Sequence, residues 1–381
     1  MLVFVSLIVL VIWLVLFFAW GNFWQIWEFD SDRAQFPAPP EWPRVTAVVP
    51  ARNEAASIEA VIRAFAAQDY AGGFSLIVVD DHSDDGTARL AFRAATDTNA
   101  ASRVRVISAP ELIGGWTGKL WALHAGVNES AAAEFYWFTD ADVVHAPDTL
   151  RRLVSRAQAD NLDLTSLMVL LRAETFAERL LIPAFLYFFL MLYPPKWIAD
   201  RNSRTAGAAG GCILLRQAAL KRVGGLAAIR DEVIDDCALA RAVKRSGGTI
   251  WMGLTRASQS LRSYEHFSHI RDMIARTAFT QLRYSPILLA GTLVAMILTF
   301  VLPLALTFSG NIRVWPFALA AWCLMTASFL PAITCYRLRA IWAPLLPLAA
   351  LFYTYATCLS AARCWLGRGG QWKGRSQAAN R

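Results

Sequence analysis

Two aspartates separated by one alanine, Asp140 and Asp142, close an aromatic run in EFYWFTDADVV. Carboxylates at that spacing can both reach one hard divalent cation, and Mg²⁺ or Mn²⁺ characteristically takes one or two carboxylates plus substrate phosphates. The pair could instead cap a following helix. The helix containing LRRLVSRAQ has its own start signal in Pro147-Asp148, however, so the two aspartates come several residues too early. A second acidic cluster, DDHSDDGT (Asp80 to Thr87), offers carboxylates able to accept hydrogen bonds from a nucleotide base or ribose. The same residues also suit an ordinary Asx turn. Asp235-Asp236 opens an amphipathic stretch, either as favourable charge in a first helical turn or as a general base.

Lys119, in GGWTGK, could meet a phosphate as a point charge or stand solvated at a helix start. The segment fails as a phosphate loop: the required first glycine falls on Ile113, and Leu120 replaces Ser or Thr. TQLRY (280–284) sets Arg283 and Tyr284 directly before an apolar run. That suits a membrane-interface anchor or a planar clamp on a diphosphate. His266 and His269 share a helical spacing without a third ligand near them in sequence.

Such chemistry needs elements that bring these residues together. VTAVV (45–49), FSLIVV (74–79), VRVI (104–107) and FYWF (135–138) read as short strands. Ile58, Val61, Ile62 and Phe65 recur at helical spacing, and further helices are predicted over 86–95 and about 119–128. The alternation indicates an α/β unit whose mainly parallel sheet is covered on both faces. Ligands of such sheets bind beyond the carboxyl ends of the strands. Those ends carry PARNE (Pro50 to Glu54), DDHSDDGT, WTGK and TDAD.

The rest of the chain is apolar. Of 381 residues, 56% are hydrophobic and 17% charged, against about 25% charged in an ordinary soluble domain. Residues 2–20 carry no charge and would span roughly 28 Å as a helix. Without a basic leader or a small-residue cleavage site they read as an uncleaved anchor, not a signal peptide. Runs at 286–308, 314–336 and 341–362 are further candidate spans, divided by SGNIR and RLR. Pro303, Pro331, Pro344 and Pro347 are tolerable there if neighbouring helices satisfy the freed carbonyls. The expected organisation is an anchor at 1–27, a proline-rich linker at 28–44, a polar domain at 45–285, spans over 286–362 and a basic tail at 363–381. Within the domain, LLIPAFLYFFLMLY (180–193) is short for a comfortable crossing. It reads as an interfacial or re-entrant helix, or as buried core.

The net charge of +8 implies no nucleic-acid partner, because the basic residues are scattered without aromatic interleaving. They suit anionic headgroups and a cytoplasmic face. A cytoplasmic domain followed by three spans would nevertheless put Arg368, Lys373, Arg375 and Arg381 outside, unless one segment is re-entrant. The six cysteines form no CxxC pair, which points to a reduced compartment without structural zinc.

Taken in order, PARNE, VVDDHSDDGT, GKLWALHAG, DAD, AAGGCILLRQAALKRVGG, IDD and QLRY resemble a membrane-bound family 2 glycosyltransferase of the GT-A fold, across residues 45–285. The N-terminal anchor and multi-span C-terminus look most like the hopene-associated glycosyltransferases, with ceramide glucosyltransferases more distant. The resemblance implies a Rossmann-like α/β domain at a bacterial inner membrane, and single-displacement, inverting transfer from a nucleotide-diphospho-sugar, a UDP-sugar by expectation, to a lipid acceptor. It implies Asp236, with Asp235 beside it, as the catalytic base. Asp80 and Asp81 would serve the nucleotide, and Asp140 and Asp142 the diphosphate and its Mg²⁺ or Mn²⁺. Pro50, Arg52, Glu54, Lys119, Gln281, Arg283 and Tyr284 would complete the donor site. The family's Gln-Gln/Arg-x-Arg-Trp motif is only partly met, since Thr280 replaces the first glutamine and Tyr284 the tryptophan. Rival readings are a nucleotidyltransferase, a transferase acting on a polyprenyl phosphate, and a non-catalytic nucleotide-sugar-binding membrane protein.

Overall fold

The computed structural model describes residues 1–26, 30, 36–367, 369, 371–372 and 375–376. Most of the linker ahead of Phe36 and most of the basic tail, including Arg368, Lys373 and Arg381, lie outside the described residues. The chain forms two units. One contains Met1–Trp27, Arg172–Lys196 and Ser263–Gly370, and the other Glu28–Leu171, Trp197–Arg262 and Gln371–Arg381.

After the N-terminal helix α1 (Leu2–Phe18), the second unit begins with β1 (Val45–Ala51), α2 (Ile58–Ala66), β2 (Phe74–Asp80), α3 (Thr87–Asp97), β3 (Val104–Ser108), α4 (Gly118–Asn128) and β4 (Phe135–Thr139). Each strand and helix predicted between residues 45 and 138 is present. All seven residues of β1 and all five of β4 are buried, as continuous apolar runs require when helices cover both faces of a sheet. The α2 residues Ile58, Val61, Ile62 and Phe65 face the core at their helical spacing. Helix α4 packs so closely on the sheet that a Cβ on Gly126 would sit 2.4 Å from Val48 Cγ1 and 2.9 Å from Val79 Cγ2.

The sheet continues through β5 (Val143–His145), α5 (Thr149–Ala159) and β6 (Leu164–Leu170). After α6 (Phe176–Leu192) and the short α7 (Pro195–Ala199), it resumes with β7 (Cys212–Arg216), α8 (Gln217–Arg222), α9 (Asp235–Arg245) and β8 (Ile250–Ser260). The eight strands run in the order β3-β2-β1-β4-β7-β6-β8-β5. Pairing is parallel from β3 through β4 and between β6 and β8, and antiparallel where β7 and β5 enter. The resulting architecture is an α/β GT-A fold with a mainly parallel sheet. Part of the expected linker docks on this unit: Trp42 meets Tyr70 edge-on at 5.2 Å, and the Tyr70 hydroxyl donates to the Pro43 carbonyl (2.6 Å).

The other unit is helical. It contains α1, α6, α10 (Phe267–Gln281), α11 (Pro286–Met296), α12 (Leu302–Thr307), α13 (Trp315–Cys335) and α14 (Leu346–Trp365). A π-helical turn at Ile297–Val301 joins α11 to α12. Pro303 lacks the N–H that would have bonded the Thr299 carbonyl four residues earlier. That carbonyl accepts instead from Trp13 Nε1 of α1 (2.7 Å), so a neighbouring helix satisfies the group freed by proline. Hydroxyls tie other helices together: Tyr187 to Ser328 (2.8 Å), and Tyr353 to the Leu181 carbonyl (3.0 Å).

Four helical segments are long and apolar enough to cross a membrane: Phe176–Ala199, Pro286–Thr307, Trp315–Cys335 and Ala340–Trp365. The first includes the stretch read from sequence as too short. Its helix starts four residues earlier than the apolar run, at a capping box in which Thr175 Oγ1 accepts from Glu178 N–H (3.2 Å).

Candidate active site

The carboxyl ends of β1 and β2 carry loops that are stitched together. Ser83 Oγ accepts from Asn53 N–H (3.0 Å), Thr87 Oγ1 from Glu54 N–H (2.8 Å), Asp85 Oδ2 from Ala55 N–H (2.9 Å), and Asn53 Oδ1 from Asp84 N–H (3.1 Å). The PARNE and DDHSDDGT segments therefore form one platform. Pro50 lies within β1 beside Val79, and Arg52 donates to the Asp81 carbonyl and lies 3.7 Å from its carboxylate. Asp80 is buried. Its Oδ2 accepts from Ser83 N–H (3.2 Å), while Oδ1 has no hydrogen-bond partner among the described residues. A buried acceptor left open at a strand end is what a ligand N–H or O–H would complete.

A second group gathers around Lys119, in the first turn of α4. Its Nζ lies 2.9 Å from Asp140 Oδ1 and 3.4 Å from Asp235 Oδ2. Burial alone would depress this amine, but Asp140 and then Asp235 outweigh it and hold the ammonium charged. Asp236, beside Asp235 at the start of α9, accepts from Gly210 N–H through Oδ2 (2.9 Å) and from Cys237 N–H through Oδ1 (2.7 Å). Burial, reinforced by the charge of Asp235, pushes its carboxyl up to about 6 against the pull of Lys119 and the two amides. Gly210 belongs here for a steric reason: a Cβ would stand 3.2 Å from both Asp236 Oδ2 and Lys119 Nζ. Lys119, Asp140, Asp235 and Asp236, far apart in sequence, thus share one site.

Asp142 is held differently. Arg262, just beyond β8, donates from Nε to Asp142 Oδ2 (2.6 Å) and from a terminal nitrogen to Glu54 Oε1 (2.8 Å). The single arginine bridges the PARNE loop and the DAD turn. In the sequence SLRSY carries no spacing signal that would mark this arginine. β5 intervenes between Asp142 and α5, and Asp148 holds the cap position of that helix, which removes the helix-cap reading of the aspartate pair.

Asp140 and Asp142 are hard oxygen donors suited to Mg²⁺ or Mn²⁺, but each already has a cation beside it. No group of three or more His, Cys, Asp or Glu able to hold a metal occurs among the described residues. The donor set fits an ion that arrives with a diphosphate supplying further oxygens, rather than a self-contained metal centre. Gln281, Arg283 and Tyr284 belong to the helical unit. There Gln281 exchanges hydrogen bonds with the Tyr193 hydroxyl (2.7 and 3.0 Å), and Arg283 and Tyr284 both take left-handed backbone conformations (φ 52° and 57°). His266 and His269 pack edge-on at 5.4 Å.

The family described as "Glycosyltransferase like family 2" matches residues 43–280. An N-acetylglucosaminyltransferase from Mesorhizobium japonicum is 26% identical over 181 residues, covering 47% of this chain and 38% of its own length. The chain therefore spans well under half of that curated relative. Among solved structures, the mannosyltransferase PcManGT from Pyrobaculum calidifontis, in complex with GDP-Man and Mn²⁺, superposes with a TM-score of 0.57 at 19% identity, covering 97% of this chain and 100% of that one. Glucosyl-3-phosphoglycerate synthase from Mycobacterium tuberculosis, with Mg²⁺ and uridine-diphosphate, gives 0.42 at 18% identity, over 63% and 79% of the two chains.

Proposed function

The chain belongs to the glycosyltransferase-like family 2, and from that premise we propose that it transfers a sugar, with inversion, from a nucleotide-diphospho-sugar to a membrane lipid, a hopanoid or related lipid being the favoured acceptor class. The observation that carries the reading is the meeting of Lys119 and Asp140 with Asp235 and Asp236. Departure of a nucleoside diphosphate needs positive charge at the leaving group, and attack by an acceptor hydroxyl needs a base nearby. Lys119 supplies a cation fixed by two carboxylates. Asp236 supplies a base whose raised pKa keeps it ionised at neutral pH yet more basic than an exposed aspartate. Asp80 Oδ1 accepts from the nucleobase or ribose.

A Mg²⁺ or Mn²⁺ ion held by Asp140 and Asp142 would add Lewis-acid stabilisation of the departing diphosphate. The QLRY resemblance assigns Gln281, Arg283 and Tyr284 to the donor's diphosphate as well, and Arg283→Lys, which removes the planar fork, tests that assignment. For the function as a whole, the full chain in native lipids is incubated with a panel of nucleotide sugars, with and without Mn²⁺ or Mg²⁺. The expected result is diphosphate release with one donor, accompanied by a glycolipid heavier by one sugar. Saturable donor binding without release would overturn the reading in favour of a binding protein. A product labile as a sugar–phosphate ester would instead identify a polyprenyl-phosphate acceptor.

A further inference from the structure

The helical unit contains a basic cavity that the sugar-transfer reading does not use. Phe176, Arg179, Arg337, Arg339, Ile341 and Trp342 line a space of about 640 Å³. We propose that this cavity binds the phosphate-bearing headgroup of an anionic membrane lipid.

The charge is unbalanced. All three arginines are exposed, and none of their guanidiniums makes an ion pair or hydrogen bond with a described residue. Three acids lie on the flanking segments, of which Glu265 accepts from the Ser263 hydroxyl (3.3 Å). Glu174 pairs with Arg172 (2.6 Å), and Glu178 accepts from the backbone N–H groups of Glu174, Thr175 and Tyr264 (2.8, 3.0 and 2.7 Å). Three arginines line one cavity, and an anion entering it would balance their charge. A phosphate oxygen pair matches their planar donor geometry.

The backbone gives a second indication. Arg337 stands in the left-handed region (φ 54°) just past α13, where Leu338 N–H reaches back to the Ile333 carbonyl (3.1 Å). Glycine is the usual residue at that position of a helix end. The long basic side chain therefore sits where the backbone alone would favour its absence.

The surroundings favour a lipid over a soluble phosphate. Arg337 and Arg339 lie in the four-residue link between two segments able to cross a membrane, Trp315–Cys335 and Ala340–Trp365, so a bilayer crossed by those segments would bring the link to its headgroup layer. Phe176 packs on Trp342 (5.4 Å) and Phe267 (6.4 Å), and tryptophan is one of the two residues enriched at membrane–water interfaces. Arginines near a bilayer surface each add attraction for anionic lipids.

The assignment concerns the helical unit alone and stands independently of the sugar-transfer reading. It is tested on the full chain in mild detergent, titrated with phosphatidylglycerol or phosphatidylcholine and read by native mass spectrometry. Phosphatidylglycerol is expected to bind saturably and on the order of tenfold or more tighter, with the preference abolished in the R179Q/R337Q/R339Q variant. Arg337→Gly is the control for folding: the preference should fall while the thermal midpoint holds or rises. Equal binding of the two lipids by the wild type would overturn the proposal. So would inorganic phosphate alone displacing phosphatidylglycerol at millimolar concentration, since that outcome marks a soluble-anion site.

Discussion

Asp236 and Lys119 regulate each other: the lysine makes the aspartate a weaker base than burial alone would, and the aspartates keep the lysine charged. Because the Asp236 carboxyl is raised to about 6, it is protonated and inactive as a base below that value and ionised above it. Transfer rate should accordingly climb as pH rises through about 6, a limb that a rate profile at saturating donor would show. Arg262 is the residue whose role most needs measurement. Removing its charge from beside Asp142 with Arg262→Gln is expected to raise the apparent affinity for Mn²⁺, read as a lower half-saturating concentration; an unchanged value would mean Asp142 does not meet the ion. Lys119 and the three acidic clusters were legible from their positions after strands or at a helix start. Arg262 was not, because its partners Glu54 and Asp142 lie 208 and 120 residues away and only the folded sheet brings them near.

At the scale of elements, the parallel half of the sheet could be read from alternating apolar runs, whereas β5 through β8 could not. β8 mixes polar and apolar residues, and β7 enters antiparallel between β4 and β6, a long-range pairing that leaves no local period. His145 on β5 shows what that region hides. Its ring nitrogens lie 2.9 Å from Thr139 Oγ1 and 2.8 Å from Ser258 Oγ, and burial pushes its pKa down to about 3. The unfolded chain takes up this proton first, at about pH 6.5. Stability is therefore full above that value and is lost as pH falls from it toward 3. His145→Gln should flatten the dependence in chemical unfolding. Gly126→Ala should cost about 2 kcal/mol by forcing α4 off the sheet, visible as a lowered denaturation midpoint; a neutral result would show that the helix can shift freely.

For the whole molecule, three of the four helical segments long and apolar enough to cross a membrane lie in the C-terminal runs set apart by the sequence, the fourth, Phe176–Ala199, lies within the polar middle, and the N-terminal helix Leu2–Phe18 is shorter than these. Connectivity adds one constraint. Strand β6 precedes α6 and β7 follows it, yet Leu164 pairs with Leu215 in a single sheet. A single crossing by α6 would place the two strands on opposite sides of a bilayer, so this apolar helix does not span once. That conclusion comes from strand pairing, which the fourteen apolar residues could not disclose. The remaining long segments should keep the chain in the membrane pellet through alkaline carbonate extraction, and release into the supernatant would contradict a spanning role.

The central claim is that Asp236 acts as the base in a sugar-transfer site assembled around Lys119. The most direct measurement compares wild type and Asp236→Asn for donor binding by calorimetry and for glycolipid formation by mass. Donor affinity within a few-fold of wild type and product formation reduced by about 10²-fold or more are expected. Transfer by Asp236→Asn near the wild-type rate, with binding intact, would contradict that claim.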